Sequence, residues 1–266
     1  MYLKKKVYFK HSENKMSQEG DILSARKYFF SKKNKNLYFL LKERYSWMNK
    51  FINETDLILE LGSGASLLKN FIDSKNLKTS DYTNYDFLDF KNVDATKTNF
   101  NDSQFDKVIS SNLIHHLAYP LKHFREVSRI LKPKGYYIIQ EGNCSLLCQF
   151  FIMLMRHEGY DFNTNPLNEN EPCNDKDDLW SANAATPNLI FNNFDKFNNQ
   201  INNDFKILKH SYGEILCYLN SGGVIAKTKY IPMNKFCFNI ISKIDRLLSF
   251  FPKIFPLQQS IVLQKV

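Results

Sequence analysis

The chain lacks a long apolar run. Its most hydrophobic stretch, Ser145 to Met155, is interrupted by Gln149 and falls well short of the roughly 20 residues a membrane helix needs, so no spanning segment is expected. The N-terminus, MYLKKKVYFKHSENK, carries charge but no apolar core and no small-residue cleavage site; a secretory signal is therefore not expected, and the sequence reads as cytoplasmic. The five cysteines (Cys144, Cys148, Cys173, Cys217, Cys237) form no CxxC pair and no Cys/His set at zinc spacing, which argues against a structural zinc and leaves them as reduced, mostly buried thiols. No metal site is expected. There is also no internal repeat and no aromatic-basic nucleic-acid motif, so no nucleic-acid partner is expected.

What the chain has in excess is positive charge in one place. Of 266 residues, 36 are Lys or Arg and 27 are Asp or Glu, for a net charge of +9. Residues 1–50 hold 13 basic against four acidic groups, which accounts for the whole excess. Such an arm can meet nucleic acid, anionic lipid or an acidic surface of the same protein, or be a solvated helix face. Within it Leu37, Leu40, Leu41, Tyr45, Met48 and Ile52 recur close to helical spacing, predicting an amphipathic helical preface over 1–52.

The period then changes. DLILEL (56–61) is a short apolar run that ends in Gly62-Ser63-Gly64, and Ala65 to Ile72 returns to helical spacing, so strand, tight turn and helix are predicted. Further strands are predicted at Lys78 to Asp81, Asn92 to Asp94, Phe105 to Ser110 and Tyr136 to Glu141, with a helix opened by Pro120 between the last two. Strands alternating with helices imply an α/β doubly wound, mainly parallel sheet. We place this core at 53–143. Residues 144–204 hold an apolar helix and then a polar stretch too long for an ordinary connection, a lid-like insertion that Trp180 and Tyr160 mark as ordered. Residues 205–266 resume with strands at Phe205 to His210 and Glu214 to Leu219, a helix over about 234–250, and a last strand at SIVLQKV (260–266).

A glycine turn after a first strand lets backbone N–H groups approach a ligand. A dinucleotide fold wants a third small residue three positions after Gly64, and this chain has Leu67. Pyrophosphate is thereby disfavoured, and Glu60, just inside the turn, suits a ligand with a positively charged end. Asp81 follows the first turn glycine at about the interval at which an acid accepts hydrogen bonds from ribose hydroxyls. Together these point to an adenosine ligand.

ILELGSGAS (58–66), TSDYTN (79–84), VDAT (93–96), FDKVISSNLIHHL (105–117) and FREVSRILKPKGYYIIQE (124–141) occur in the order of the motifs of class I S-adenosylmethionine-dependent methyltransferases, and the chain resembles that family over about 56–142. NLYFLLKERYSWM (36–48) and segments within 156–227 are similar to a bacterial branch whose acceptors are mostly unassigned. The resemblance implies a seven-stranded sheet of order 3-2-1-4-5-7-6 with the last strand antiparallel. It also implies S-adenosyl-L-methionine as cofactor, with Glu60, Gly62, Ser63 and Gly64 on its methionine and ribose side, Asp81 on the ribose, Asp94 and Ala95 beside the adenine, and Ser110, Ser111 and Asn112 beside the sulfonium. Lys134 departs from the family, which usually has a glycine there.

Methyl transfer is a displacement at a sulfonium that carries its own leaving group, so the protein mainly aligns the reactants and keeps the pocket dry. A base is needed only for a protonated nucleophile. The candidates are His116, His157 and Glu158; of the adjacent His115 and His116, one is expected to pack away, because neighbours on a strand or helix point apart. Tyr45, Trp180 and Asn183 are candidate acceptor walls. The acidic insertion admits three readings, namely pairing with the basic N-terminal helix, a cationic acceptor or a divalent metal, and we expect the first. FFPKIFP (250–256) fits a buried helix cap, which we expect, or weak peripheral contact with a membrane. The expected activity is transfer of a methyl group to an O or N atom of a small molecule such as a sugar or lipid-linked envelope precursor; RNA or protein methylation and non-catalytic cofactor binding are the rivals.

Overall fold

The computed structural model describes residues 2–16, 20–178 and 180–266. Five strands lie in the first half of the chain or just beyond it: β1 (Lys6–Tyr8), β2 (Ile58–Leu61), β3 (Leu77–Ser80), β4 (Phe105–Ser111) and β5 (Leu131–Gly142). They are followed by β6 (Gly159–Asp161), β7 (Phe205–Gly213) and β8 (Gln258–Lys265). The helices are α1 (Ile22–Phe30), α2 (Lys35–Ser46), α3 (Pro120–Ile130), α4 (Leu146–Met155), α5 (Thr186–Phe191), α6 (Phe194–Asn199), α7 (Leu216–Leu219) and α8 (Lys235–Leu248).

Six strands form the central sheet in the order β3-β2-β4-β5-β8-β7. The first four run parallel to one another, and β8 runs antiparallel to both β5 and β7. This is the expected sheet without its third strand. At 92–94 the chain curls instead of extending: Asn92 is left-handed at φ 53°, Asp94 turns back to accept the N–H of Thr96 at 2.8 Å, and only a bridge from Ser80 to Phe90 remains. Local side-chain bonding of this kind competes with ladder formation.

Two further expectations fail for similar reasons. No α-helix follows the glycine turn; Gly62, Gly64 and Ser66 all have positive φ, which a right-handed helix cannot contain, and only a 3₁₀ turn at Leu68–Asn70 survives. The segment Glu214 to Leu219 is not a strand. Glu214 is left-handed, and the Asp245 carboxylate accepts the N–H groups of Ile215, Leu216 and Cys217, which caps the start of α7.

The amphipathic preface folds as α1, α2 and a 3₁₀ turn at Trp47–Phe51, and buries Leu37, Leu41 and Met48 on one face of the sheet. The other face is covered by α3, α5 and α6 through Phe124, Phe191 and Phe197. Arg44 on α2 is buried and bonds Glu214 through Nε at 2.9 Å. The basic N-terminus reaches the acidic insertion as a strand rather than a helix, with β1 pairing antiparallel to β6 and Lys6 on Asp161 at 3.0 Å. Lys134 takes φ 63°, the conformation that explains a glycine at its position in the family.

Candidate functional site

The parallel strands end on one edge, where the glycine turn leaves β2. Glu60 is the last inward acid on that strand, only 2% exposed. Its Oε2 has no hydrogen-bond partner among the described residues. Burial pushes this carboxyl up to about 8, with the Asp81 charge adding and Ser63 opposing. Asp81 follows β3 and accepts the Gly64 N–H at 2.8 Å and the Thr83 N–H at 3.0 Å. Above the turn lies α1, with Ile22 3.8 Å from where a Gly64 Cβ would stand and Arg26 donating to the Ala65 carbonyl at 2.8 Å.

A buried carboxyl with one oxygen unpartnered among the described residues, two glycines at positive φ and an acid closing the turn fit the amino end and ribose of S-adenosylmethionine. Glu60, Gly62, Ser63, Gly64 and Asp81 are thus brought together as expected. Ala95 is buried nearby while Asp94 is exposed. Ser111 meets the Tyr45 hydroxyl at 3.2 Å and Asn112 accepts from Gln258 at 3.1 Å. Ser110 is different. Strand alternation turns it to the opposite face, where it is fully buried on the Tyr137 hydroxyl, itself bonded to His123 at 2.7 Å. His123, which the sequence analysis did not single out, is driven by burial down to about 4 and serves as a neutral core link.

The acceptor side departs most from expectation. His115 and His116 do not point apart, because β4 is followed by a 3₁₀ turn at Ile114–His116, and their ring centroids lie 4.3 Å from each other. His115 binds the buried Glu141 carboxylate through Nδ1. Burial alone would lower this imidazole, but the Glu141 charge outweighs it and raises His115 to about 9. Burial, then the His115 cation, lowers His116, so His116 is a neutral base near pH 7. Glu158 lies beside both His116 (4.0 Å) and His157 (3.4 Å). Burial would raise its carboxyl; His157, His115 and His116 hold it down instead.

Glu158 and Trp180 line a cavity of about 250 Å³ together with Tyr8, Phe9, Arg156 and Asp178. The cavity lies between the N-terminal strand and the insertion. Trp180 also covers Gly20, where a Cβ would come within 3.1 Å of its ring. Tyr45 does not reach this cavity. Asn183 is fully buried and spent on the chain itself: its Oδ1 accepts from Asp161 and Ala185, and its Nδ2 donates to Asp161, Thr164 and Cys173. It shapes the insertion rather than meeting an acceptor. The Asn183 N–H and the Asn174 amide both donate to the His115 carbonyl, at 2.8 and 3.0 Å, which stitches the insertion to the histidine turn. That turn touches the cofactor side through Leu113, whose Cδ1 is 2.8 Å from a Cβ placed on Gly62.

Residues 60–139 match the sequence model of the family described as "Methyltransferase domain". A comparison with curated protein sequences finds no match. Among solved structures, the fold is similar to a SAM-dependent methyltransferase from Archaeoglobus fulgidus, with a TM-score of 0.51, 18% identity, and coverage of 90% of this chain and 99% of that one. A SAM-dependent methyltransferase from Methanosarcina mazei aligns with 17% identity over 84% of this chain and 98% of its own, at a TM-score of 0.48.

Proposed function

We propose that this chain, whose residues 60–139 match the methyltransferase domain model, is an S-adenosylmethionine-dependent enzyme that methylates an oxygen or nitrogen atom of a small molecule held between the N-terminal strand and the insertion. One observation carries this reading. Glu158, with His116 and His157 beside it, opens into the 250 Å³ cavity, while Leu113 on the same histidine turn packs against the glycine turn. A proton-accepting cluster thus stands between a cofactor turn and a pocket.

S-adenosylmethionine, when bound, supplies a methyl group on a sulfonium that departs as a neutral thioether. The protein's share is alignment and proton removal. His116 is kept neutral by burial and by its cationic neighbour, and His157 with Glu158 offers a second route for the acceptor's proton. Mass spectrometry of small-molecule extracts incubated with the enzyme and methyl-labelled cofactor should reveal a labelled acceptor. His157→Ala should lower its turnover about 100-fold, the smaller end of general-base effects, and leave cofactor affinity unchanged. Labelled macromolecules with no labelled small molecule would refute the assignment of acceptor class.

We also propose that the enzyme docks on a lipid surface, and the C-terminal helix carries this second reading. Instead of a buried cap, Phe236, Ile240, Ile244, Leu247, Phe250 and Phe251 form an exposed stripe, with Phe250 at 79% and Phe236 at 72% exposure. Phe150 and Leu154 of α4 are exposed as well. The acidic residue of α8, Asp245, is turned inward onto backbone N–H groups, so the exposed Lys235, Lys243 and Lys253 set the charge of the outer face, while Arg246 is paired with Glu43 at 3.3 Å. An apolar stripe flanked by cations is suited to an anionic bilayer. Among the described residues no helix is long and apolar enough to cross a membrane. The protein should co-sediment with vesicles containing phosphatidylglycerol, and a Leu247→Glu/Phe250→Glu variant should lose this. Equal sedimentation of both proteins, or self-association without vesicle binding, would count against it.

A further inference from the structure

We propose that His115, His116 and Glu158 form a binding site for a divalent transition metal between the cofactor turn and the insertion cavity. One ligating atom from each of the three lies within 4.8 Å of the others. Two imidazoles and a carboxylate are a donor set for zinc, ferrous iron, cobalt or manganese, and three protein ligands leave coordination positions open for a further ligand.

The arrangement around the two rings is the stronger reason. His115 has its Nδ1 on the Glu141 carboxylate, and His116 has its Nδ1 3.2 Å from the Ser181 carbonyl oxygen. Each therefore has one nitrogen committed, and Nε2 is the atom that would meet a metal, which on His115 displaces a proton to solvent. A carboxylate or backbone carbonyl on the far nitrogen is what orients a metal-binding histidine and fixes its tautomer. These partners are themselves held: Glu141 also accepts the Ile114 N–H at 2.7 Å and the Gly142 N–H at 2.9 Å. Glu158 is presented from the other side, its backbone carbonyl accepting the Phe9 N–H at 3.1 Å beside β1 and its side chain facing the cavity.

The spacing is also informative. His116 Nε2 and Glu158 Oε1 are 4.0 Å apart, too far for a hydrogen bond. Two ligands bound to one zinc at about 2.0–2.1 Å stand roughly 3.3 Å from each other. Closing this gap takes less than an ångström of side-chain movement, and a separation at the 4.8 Å limit of the triad takes about 1.5 Å. The proposal rests on the assignment of the cavity as the acceptor site and deepens it: with metal bound, His116 and Glu158 serve as ligands rather than bases, His157 is left to take the acceptor's proton, and an acceptor with a hydroxyl, carboxylate or amine would be drawn to the cation beside Glu158.

The test uses the full chain, treated with chelator, dialysed, and titrated with Zn²⁺ by calorimetry and with Co²⁺ by visible absorption. Wild type should bind a single equivalent and give the d–d bands of cobalt on nitrogen and oxygen ligands. His116→Ala and Glu158→Gln should each weaken binding about tenfold or more, since even partners outside the coordination sphere contribute that much. Cofactor affinity in the same variants reports that the fold is intact, and Asp178→Asn, a cavity carboxylate outside the triad, should bind metal as wild type does. Absence of stoichiometric binding, or equal affinity across all three variants, would overturn the site. Metal binding is read without turnover, so it can fail while a labelled small molecule still appears, and the acceptor assignment can fail while the metal binds.

Discussion

Glu141→Ala will destabilise the protein by about 3–5 kcal/mol, the cost of removing one partner from a buried ion pair. Glu141 has no exposure at all, and its carboxylate serves the His115 ring and the N–H groups of Ile114 and Gly142 at once. Alanine leaves these three donors in a place water does not reach, where each unsatisfied group carries its own penalty. Glu141→Gln keeps the volume and one acceptor oxygen but not the charge, so its loss should be smaller. Urea unfolding at neutral pH separates the two variants. A difference from wild type below about 1 kcal/mol for Glu141→Ala, the level of an exposed pair, would show that the His115–Glu141 contact does not hold the turn. The variant should also disturb the insertion, because Asn183 and Asn174 are anchored on the His115 carbonyl.

Much of the sheet was legible because its strands are short apolar runs bounded by turn residues, and Pro120 marks the start of α3 as expected. The glycine turn was legible for a different reason: glycines at positive φ and an acid at a fixed interval leave a direct trace in sequence. What escaped depends on contacts between distant segments. The third strand was lost to an Asp94–Thr96 turn that looks the same in sequence as a strand end. The clustering of His115 with His116 required knowing that a 3₁₀ turn, not a strand or helix, carries them. Asn183 reads as a pocket residue because a polar side chain in a long loop usually faces solvent or ligand; here it replaces the secondary structure that the loop does not have. The β1–β6 pairing joins residues more than 150 positions apart, with only opposite charge to announce it. The exposure of Phe250 and Phe251 in FFPKIFP, expected as a buried cap, was misjudged since aromatic residues in sequence normally imply burial.

Cofactor affinity should rise with pH between about 6 and 8, and this rise should depend on Glu60. In the cofactor-free protein the Glu60 carboxyl is held up to about 8, so it keeps its proton at neutral pH, whereas in the unfolded chain it ionises near its ordinary value. The folded state thus binds the extra proton between those two values, and stability from this group declines as pH rises through that window. A ligand with a positively charged amino group reverses the preference, since an opposite charge favours the ionised carboxylate. Binding at pH 7 must then release a proton, and affinity climbs until the carboxyl is ionised without help, near pH 8, where the ligand's own amino group also begins to lose its charge. Calorimetry in buffers of different ionisation enthalpy counts the proton directly. Glu60→Gln should flatten the profile and lower affinity at pH 8 about tenfold, and Asp81→Ala should lose about ten- to a hundredfold at every pH, the value of a charge-assisted hydrogen bond of about 1.5–3 kcal/mol. Gly64→Val should do comparable damage, because a β-branched residue is forced to φ 48° where only glycine is unstrained. A wild-type affinity that does not vary with pH, with no proton released, would place the cofactor's charged end away from Glu60.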